Sequence, residues 1–296
     1  MAILEILLQN LIGGLLIGSV HGMAAIGLNM IFGVMGIVNV AHGAFILTGM
    51  YATYWIWKIL GVNPFLATLA TAAILFLLGI ISYFLTVKRI IESKLRAEKI
   101  EILSLTITFS AGLFITNLIL ALWGTNYRKI TNPFEGQTIP LGSDVFISLS
   151  RFSIAIIAIT VIILLSLFLK RTRLGMAIRA SSQCKELAEL VGVRTHRINM
   201  IGFGIGVCLA GVAGALLGQI FAFNPPVGME LTYLAFIIVV LGGMGSIKGA
   251  FIGSLLIFGI TGIVDAFVPI LWGNLVQFIL AFIILLIRPM GLFGKK

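Results

Sequence analysis

Two polar side chains interrupt a long uncharged stretch near the start of the chain. No Asp, Glu, Lys or Arg occurs from residue 11 to residue 57, about twice the length needed to cross a hydrocarbon core. Glycines and polar residues break this stretch at 33–43, where Asn39 and His42 lie between Gly36 and Gly43. Because such a break must be buried in protein or line a wet cavity, these groups could hydrogen bond a solute. In the alternative, Asn39 caps the next helix and His42 binds a neighbouring carbonyl.

A second interruption lies near the other end of the chain. The apolar run 231–241 is too short to cross a bilayer, and it stops at Gly242, Gly243, Gly245 and Ser246 before another apolar run begins. The next pentapeptide, Lys-Gly-Ala-Phe-Ile at 248–252, echoes His-Gly-Ala-Phe-Ile at 42–46. The pattern predicts two broken or re-entrant helices beside a translocation pathway. Its candidate residues are Gly36, Asn39, His42, Gly43, Gly242, Gly243, Gly245 and Ser246.

Enzymatic chemistry finds no support in the sequence. The chain contains no Walker-type glycine loop, no His-Glu-x-x-His and no Gly-x-Ser-x-Gly. His21, His42 and His196 are too scattered to form a set of ligands, and neither Cys184 nor Cys208 has a suitable neighbour for a disulfide or a metal site. We therefore expect no enzymatic activity, no metal and no cofactor, and any ATP hydrolysis must be done by a partner.

Composition decides which elements must position these groups. Hydrophobic residues make up 60% of the 296 residues and charged residues 10%, so a water-soluble fold could not hide the apolar surface. The apolar runs number about nine, two of them short or interrupted. We predict an all-α membrane protein, a polytopic helical bundle of about 8–10 segments forming one transmembrane domain over residues 1–296.

Basic residues predict how this bundle lies in the cell membrane. Of the 20 Lys and Arg residues, most occur in three places: the segment 88–101, which includes Lys94, the segment 170–199, and the tail with Arg288, Lys295 and Lys296. Cytoplasmic loops retain positive charge, so we expect these three on the cytoplasmic side and the N-terminus and the loop 124–144 outside. The net charge of +10 then reflects membrane topology and not nucleic-acid binding.

The most polar stretch, 170–199, is typical of a docking unit. Its amphipathic pattern predicts one helix of about five turns over 174–191. Gly192 is expected to end this helix, because glycine readily adopts the left-handed backbone of a helix terminus. Arg194 and Arg197 follow. In the alternative, this is a basic loop that only obeys membrane topology.

Three stretches of the chain resemble one family. Glu186-Leu187-Ala188, followed by Gly192, is similar to the Glu-Ala-Ala-x-x-x-Gly loop with which permease subunits of ABC importers engage their ATPase, with Leu187 in place of the usual second Ala. The surrounding residues 175–193, including Arg179, resemble LivH-like permeases of branched-chain amino acid importers. So do GIVNVAHGAFILTGMY at 36–51 and LGGMGSIKGAFIGSL at 241–255, although a basic residue expected near Leu234 is missing.

The resemblance implies a permease subunit that works by alternating access. Its expected partners are a LivM-like second permease, two ABC ATPase subunits, an external solute-binding protein and the lipid bilayer. ATPase docking would involve Glu186, Leu187, Ala188, Gly192 and Arg179. The resemblance places the protein in the cell membrane as a multi-pass subunit.

Branched-chain or related apolar amino acids are the substrates that the resemblance favours. Helix N-termini and free carbonyls at the two interruptions could meet a zwitterion without fixed charges. Urea or a short amide is the alternative, since an uncharged pathway suits it equally well. A secondary transporter or a channel is the alternative of another class. It is disfavoured because the acidic candidates Glu5, Glu230 and Asp265 lie near the ends of predicted spans.

Overall fold

The structure, a computed structural model, describes residues 3–91, 93, 96–141, 145–269 and 272–294. Nearly all of its regular structure is helical, which confirms the predicted all-α class. The helices are α1 Ile3–Met35, α2 His42–Leu60, α3 Pro64–Ser82, α4 Lys88–Ile91, α5 Ala97–Trp123, α6 Leu149–Arg171, α7 Arg173–Gln183, α8 Lys185–Leu190, α9 Thr195–Leu217, α10 Val227–Gly242, α11 Ile247–Val264 and α12 Gly273–Ile287.

The number of membrane segments agrees with the sequence-based range. Within the described residues, 6 helices are long and apolar enough to cross a membrane, and Val227–Gly242 and Leu275–Ile287 are shorter apolar helices. These long and short apolar helices together fall within the expected 8–10 segments. The structure therefore contains a polytopic helical bundle, as composition requires.

The core of the bundle is formed by α1 and α9. Helix α1 packs against α9 and α11, and α9 also packs against α2 and α3. Small residues permit the close approach: a Cβ built on Gly206 would lie 2.7 Å from the carbonyl oxygen of Gly27, and one built on Gly214 would lie 2.8 Å from the carbonyl carbon of Ile46. Glycines at helix crossings allow such backbone contacts in lipid. The glycines of α9 thus serve packing.

Several helices begin at residues that the sequence marks as caps. The Asn63 side chain accepts a hydrogen bond from Phe65 N before Pro64 opens α3. Ser148 and Thr172 cap α6 and α7 in the same way. Each side-chain oxygen satisfies one backbone N–H that the first helical turn leaves without an internal partner.

The segment 88–101 is more helical than predicted. A π-helical turn, Tyr83–Val87, joins α3 to α4, and α5 already begins at Ala97. A helix can run on beyond the hydrocarbon because its backbone hydrogen bonds are internal, whatever side chains it carries. Lys94, Lys295 and Lys296, which were counted for the orientation, lie outside the described residues.

The predicted external loop 124–144 also has regular structure. Strand β1, Thr138–Pro140, pairs antiparallel with β2, Phe146–Ser148, directly before α6. Arg128 exchanges two backbone hydrogen bonds with Phe223, at 2.9 and 2.8 Å. The short hairpin escaped sequence reasoning because three-residue strands carry too little periodicity to be recognised. Residues 142–144 lie outside the described part.

Candidate functional site: two helix breaks and a short exposed helix

The first break, residues 36–43, separates α1 from α2. Gly36 has φ 67°, and its N–H closes the helix onto the carbonyl oxygen of Phe32 at 2.7 Å. Residues 37–39 leave the helical path, and α2 begins at His42. A positive φ is readily accessible only to glycine, so Gly36 fixes where α1 ends.

Asn39 and His42 are fully buried within this break. Asn39 Oδ1 accepts a hydrogen bond from Ala41 N at 3.2 Å, and His42 Nε2 lies 2.9 Å from Ala24 O, which makes it the donor. His42 therefore binds a neighbouring carbonyl, as the packing alternative expects, whereas Asn39 bonds Ala41 N ahead of the helix and does not cap α2. The other polar atoms, Asn39 Nδ2 and His42 Nδ1, have no partner among the described residues. These two atoms are available to a solute or a water without loss of the existing bonds.

The first break lies at the level of the middle of α9. A Cβ built on Gly27 would lie 3.3 Å from His42 Cε1 and 2.6 Å from the carbonyl oxygen of Gly206, the central residue of α9, Thr195–Leu217. Helix α2 therefore starts inside the bundle and not at its surface. Non-helical backbone at this depth has to be paired or buried in protein.

Two neighbouring helices supply the pairing that the first break needs. Thr108 Oγ1 of α5 accepts a hydrogen bond from Val40 N at 3.1 Å, and Thr232 Oγ1 of α10 accepts one from Gly43 N at 3.1 Å. A Cβ built on Gly43 would lie 2.6 Å from the backbone nitrogen of Thr232. The start of α2 thus rests directly on the backbone of α10.

The second break, residues 242–249, separates α10 from α11. Gly243 and Gly245 have φ 101° and 82°, and Ser246 Oγ accepts a hydrogen bond from Gly249 N at 3.1 Å to cap α11. A Cβ built on Gly242 would lie 2.6 Å from the backbone nitrogen of Ala250. The two helices therefore meet backbone to backbone where the chain turns.

Asn29, which sequence reasoning missed, holds the second break in place. This residue of α1 is 1% exposed. Its Nδ2 donates to Ser246 O at 2.8 Å and to Gly243 O at 3.3 Å, and its Oδ1 accepts from Gly245 N at 2.5 Å. One amide side chain thus satisfies three backbone groups, using both its donor and its acceptor. The signal available in the sequence was an Asn inside a long uncharged run.

The C-terminal tail completes the second break. Leu292 N donates to Leu241 O at 2.8 Å, and Phe293 N donates to Gly242 O at 3.1 Å. These carbonyls belong to the last turn of α10, which has no helical partners for them. The sequence gives no local sign of this contact, because the tail reads only as a polar terminus.

The structure brings both breaks to the C-terminal half of α1. Asn29 contacts the second break, and a Cβ built on Gly33 would lie 3.7 Å from Gly245 Cα. Gly36 and Gly245 are exposed, and a Cβ built on either would meet no atom within 4 Å. Of the predicted pathway residues, these two border open space, Ser246 is partly buried, and Asn39, His42, Gly43, Gly242 and Gly243 are buried.

The predicted helix 174–191 is two helices and not one. Cys184 has extended backbone, with φ −156° and ψ 109°, and it ends α7 and begins α8. Ile178 on α7 is buried in the bundle, whereas Leu187 on α8 is exposed at the surface. Because of this break, the face of α7 that packs on the bundle does not continue along α8. Arg179 is exposed on α7 and does not share a helix with Glu186.

Helix α8 exposes apolar side chains. Leu187, Leu190 and Val191 are 62%, 82% and 79% exposed, and Glu186 beside them is also exposed. Ala188 is buried, so a small residue stands where α8 lies against its own protein. Large apolar side chains clustered at the surface mark interaction sites.

Gly192 closes α8 in the predicted conformation. Its φ is 86°, its N–H donates to Glu189 O at 3.0 Å, and Val193 N donates to Ala188 O at 3.0 Å. This pair of bonds is the Schellman arrangement, which uses a left-handed residue after the helix.

Within the described residues, no group of three His, Cys, Asp or Glu side chains could hold a metal ion.

Comparison with known proteins identifies the family of the chain. The sequence profile of the family described as "Branched-chain amino acid transport system / permease component" matches residues 10–285. The chain belongs to this family. The permease family includes LivH of Salmonella typhimurium, a high-affinity branched-chain amino acid transport system permease protein, which is 30% identical over 295 residues, 97% of this chain and 96% of LivH.

Two further relatives are similar to most of this chain. BraD of Pseudomonas aeruginosa, a permease protein of the same kind of transport system, is 31% identical over 301 residues, covering 97% of this chain and 96% of BraD. LivM of Salmonella typhimurium is 27% identical over 252 residues, 77% of this chain and 57% of LivM. No solved structure matches the chain.

Proposed function

We propose that this chain is the transmembrane permease subunit of an ATP-driven importer for branched-chain or related apolar amino acids. The observation that carries the proposal is the family match over residues 10–285, together with similarity to LivH and BraD along nearly the whole chain. The chain supplies the pathway and opens it alternately to the two sides of the membrane.

The exposed face of α8 supports docking of an ATPase subunit. Leu187 and Leu190 offer apolar anchors, and Glu186 offers one charged group beside them. A short helix whose apolar residues point away from its own protein needs a partner to bury them. Gly192 fixes the turn that presents this helix, so closure of an ATPase dimer would pull on the attached spans.

Four further subunits complete the proposed importer. They are a LivM-like second permease, two ABC ATPase subunits and an external solute-binding protein. The similarity to both LivH and LivM supports a pair of related permeases. The basic segments support an orientation in the cell membrane with the N-terminus outside and the C-terminus in the cytoplasm.

The two breaks support the translocation pathway. They separate α1 from α2 and α10 from α11, and the first break holds two polar atoms that have no partner among the described residues, at the level of the middle of α9. Such interruptions are where membrane transporters bind solutes with backbone and uncharged polar groups.

Uptake of labelled leucine and of labelled urea tests the proposal in cells that lack the gene and in cells that regain it. We expect leucine uptake to return with the gene and to stop when cellular ATP is depleted, even while the proton gradient is kept. Urea uptake without leucine uptake would overturn the choice of substrate. Leucine uptake that follows the proton gradient and ignores ATP would instead identify a secondary transporter.

A further inference from the structure

A second polar site lies at the predicted external end of the bundle, away from both breaks. It is a cavity of about 670 Å³ between the first half of α1, the start of α6, the end of α11 and the start of α12. This volume is in the range of small-molecule sites. None of the predicted pathway residues lines it, so its chemistry has to be read separately.

One side of the cavity carries positive charge at the beginning of α6. Arg151 lies in the first turn of this helix, where its N–H donates to the capping Ser148 Oγ at 3.4 Å. Its Nη1 lies 3.5 Å from a Cβ built on Gly13 of α1, which places the guanidinium at the cavity wall. The N-terminus is the positive end of the helix dipole, so the positive potentials of the dipole and of the guanidinium add. Together they favour an anionic group.

The opposite arrangement stands at the end of α11. Asp265 follows the last residue of the helix, and its N–H donates to Thr261 O at 2.8 Å. A carboxylate at a helix C-terminus adds to the negative end of the dipole and favours a cation. Its Oδ1 is buried and has no partner among the described residues, and burial raises the pKa of the carboxyl. No ion pair joins Arg151 to Asp265 in the described part of the chain.

Uncharged groups complete the lining of the cavity. Gln9 Oε1 is buried without a partner among the described residues, and Gln277 is almost wholly buried at the cavity wall. Phe258 and Ile147 give the cavity an apolar side. The lining therefore offers a guanidinium, a carboxylate, amides and an apolar surface.

We infer that this cavity receives an α-amino acid from outside, with Arg151 binding the carboxylate and Asp265 binding the ammonium group. Charge-assisted hydrogen bonds to the carboxylate and to the ammonium group, which share one carbon atom, would select a zwitterion over urea, which carries neither charge. The inference rests on the proposed function, because it names how the imported amino acid is met before it reaches the breaks.

Charge-neutralising variants in the complete importer test this site. We expect Arg151→Gln and Asp265→Asn each to lower the maximum rate of leucine uptake about tenfold or more, since each removes one charge-assisted bond. The leucine concentration at half-maximal uptake should stay unchanged, because the external binding protein sets it. Lys129→Gln is the matched control: Lys129 pairs with Glu135 on the same predicted side, outside the cavity, and uptake should stay within twofold of wild type.

The double variant separates a substrate site from a hidden ion pair. If Arg151 and Asp265 only stabilise each other in another conformation, Arg151→Gln/Asp265→Asn should recover much of the uptake that either single variant loses. Recovery of that kind, or single variants within twofold of wild type, would overturn the inference. If Arg151→Gln does not assemble, Arg151→Lys and Asp265→Glu are measured against it, and both should retain uptake because they keep the charges.

Failure of this inference differs from failure of the proposed function. When the unaltered importer takes up leucine and the single variants do so equally well, only the external site is refuted. When the unaltered importer does not take up leucine at all, the proposed substrate itself is wrong. Amounts of each variant in the membrane, bound to its ATPase subunits, are measured in parallel.

Discussion

The two breaks are built alike and stabilised differently. Each contains a glycine with positive φ, and each leads into a helix with the sequence Gly-Ala-Phe-Ile in its first turns. In both breaks, the glycine of the Gly-Ala-Phe-Ile sequence rests on α10. Gly43 lies on the backbone of Thr232 near the start of α10, and Gly249 lies on Gly242 at its end. Helix α10 is thus held at both ends by the two similar pentapeptides.

The two breaks differ in how many of their polar atoms have hydrogen-bond partners. Asn29 and the C-terminal tail satisfy the backbone of the second break, whereas the first break leaves Asn39 Nδ2 and His42 Nδ1 without partners among the described residues. Unpaired buried polar atoms are costly, so they persist mainly where function requires them. We interpret the second break as a clamp and the first break as the part of the pathway that meets the solute.

Steric blocking of the breaks should have the largest effect. Gly43→Leu and Gly243→Leu are each expected to abolish leucine uptake, because a Cβ at 43 would lie 2.6 Å from Thr232 N and one at 243 would lie 2.5 Å from Gly294 N. The measurement is uptake together with co-purification of the ATPase subunits, which should survive in both variants.

Gly61→Leu is the matched control for Gly43→Leu. Gly61 ends α2 outside both breaks, and a Cβ there would meet no atom within 4 Å, so the change adds only the backbone strain of a positive φ, about 1 kcal/mol. Uptake should therefore largely remain. Loss of the whole complex in Gly43→Leu and Gly243→Leu would mean that both glycines serve packing alone.

Removing the clamp should reduce stability more than any polar change in the first break. Asn29→Leu leaves the backbone of Gly243, Gly245 and Ser246 without three hydrogen bonds, and we expect a loss of about 2 kcal/mol or more. Thermal unfolding of the purified protein measures it. Asn117→Leu is the control, because Asn117 is exposed and bonds only within its own helix, to Leu113 O. Equal stability of the two variants would refute the clamp.

A smaller change tests the solute role of the first break. Asn39→Ser keeps a side-chain oxygen that can accept from Ala41 N and deletes the unpartnered Nδ2. We expect leucine uptake to fall severalfold while the unfolding temperature changes little. Ser246→Ala, which removes a cap in the second break, should do the opposite and cost about 1 kcal/mol of stability with uptake retained. The reverse result would exchange the roles of the two breaks.

The helices and the breaks could be predicted because their signals are local. Uncharged runs show the spans, and glycines with Asn39 or Ser246 show the interruptions. Asn29 could not be assigned a role, because its partners lie 214 to 217 residues further along the chain. The cavity at the start of α6 was missed for the same reason: Arg151 and Asp265 are distant in sequence, and each reads as an ordinary residue at the end of a span.

The backbone of the segment 170–199, for which we propose ATPase docking, was predicted in outline and not in detail. The left-handed turn at Gly192 follows from glycine alone, and the structure agrees. The break at Cys184 does not, because the pattern over 174–191 is helical throughout and only packing on the bundle separates the buried Ile178 from the exposed Leu187. Tertiary contacts therefore decided what local propensity could not.

The central claim is that α8 transmits ATP hydrolysis to the breaks, and reconstituted vesicles test it most directly. Leucine uptake and ATPase stimulation are measured for the complete importer with Glu186→Lys or Gly192→Val, and with Glu101→Lys as a control that makes the same charge change at another exposed position. We expect both α8 variants to lose uptake and stimulation while the permease stays in the membrane, and Glu101→Lys to behave as wild type. Normal coupling in either α8 variant would contradict the account.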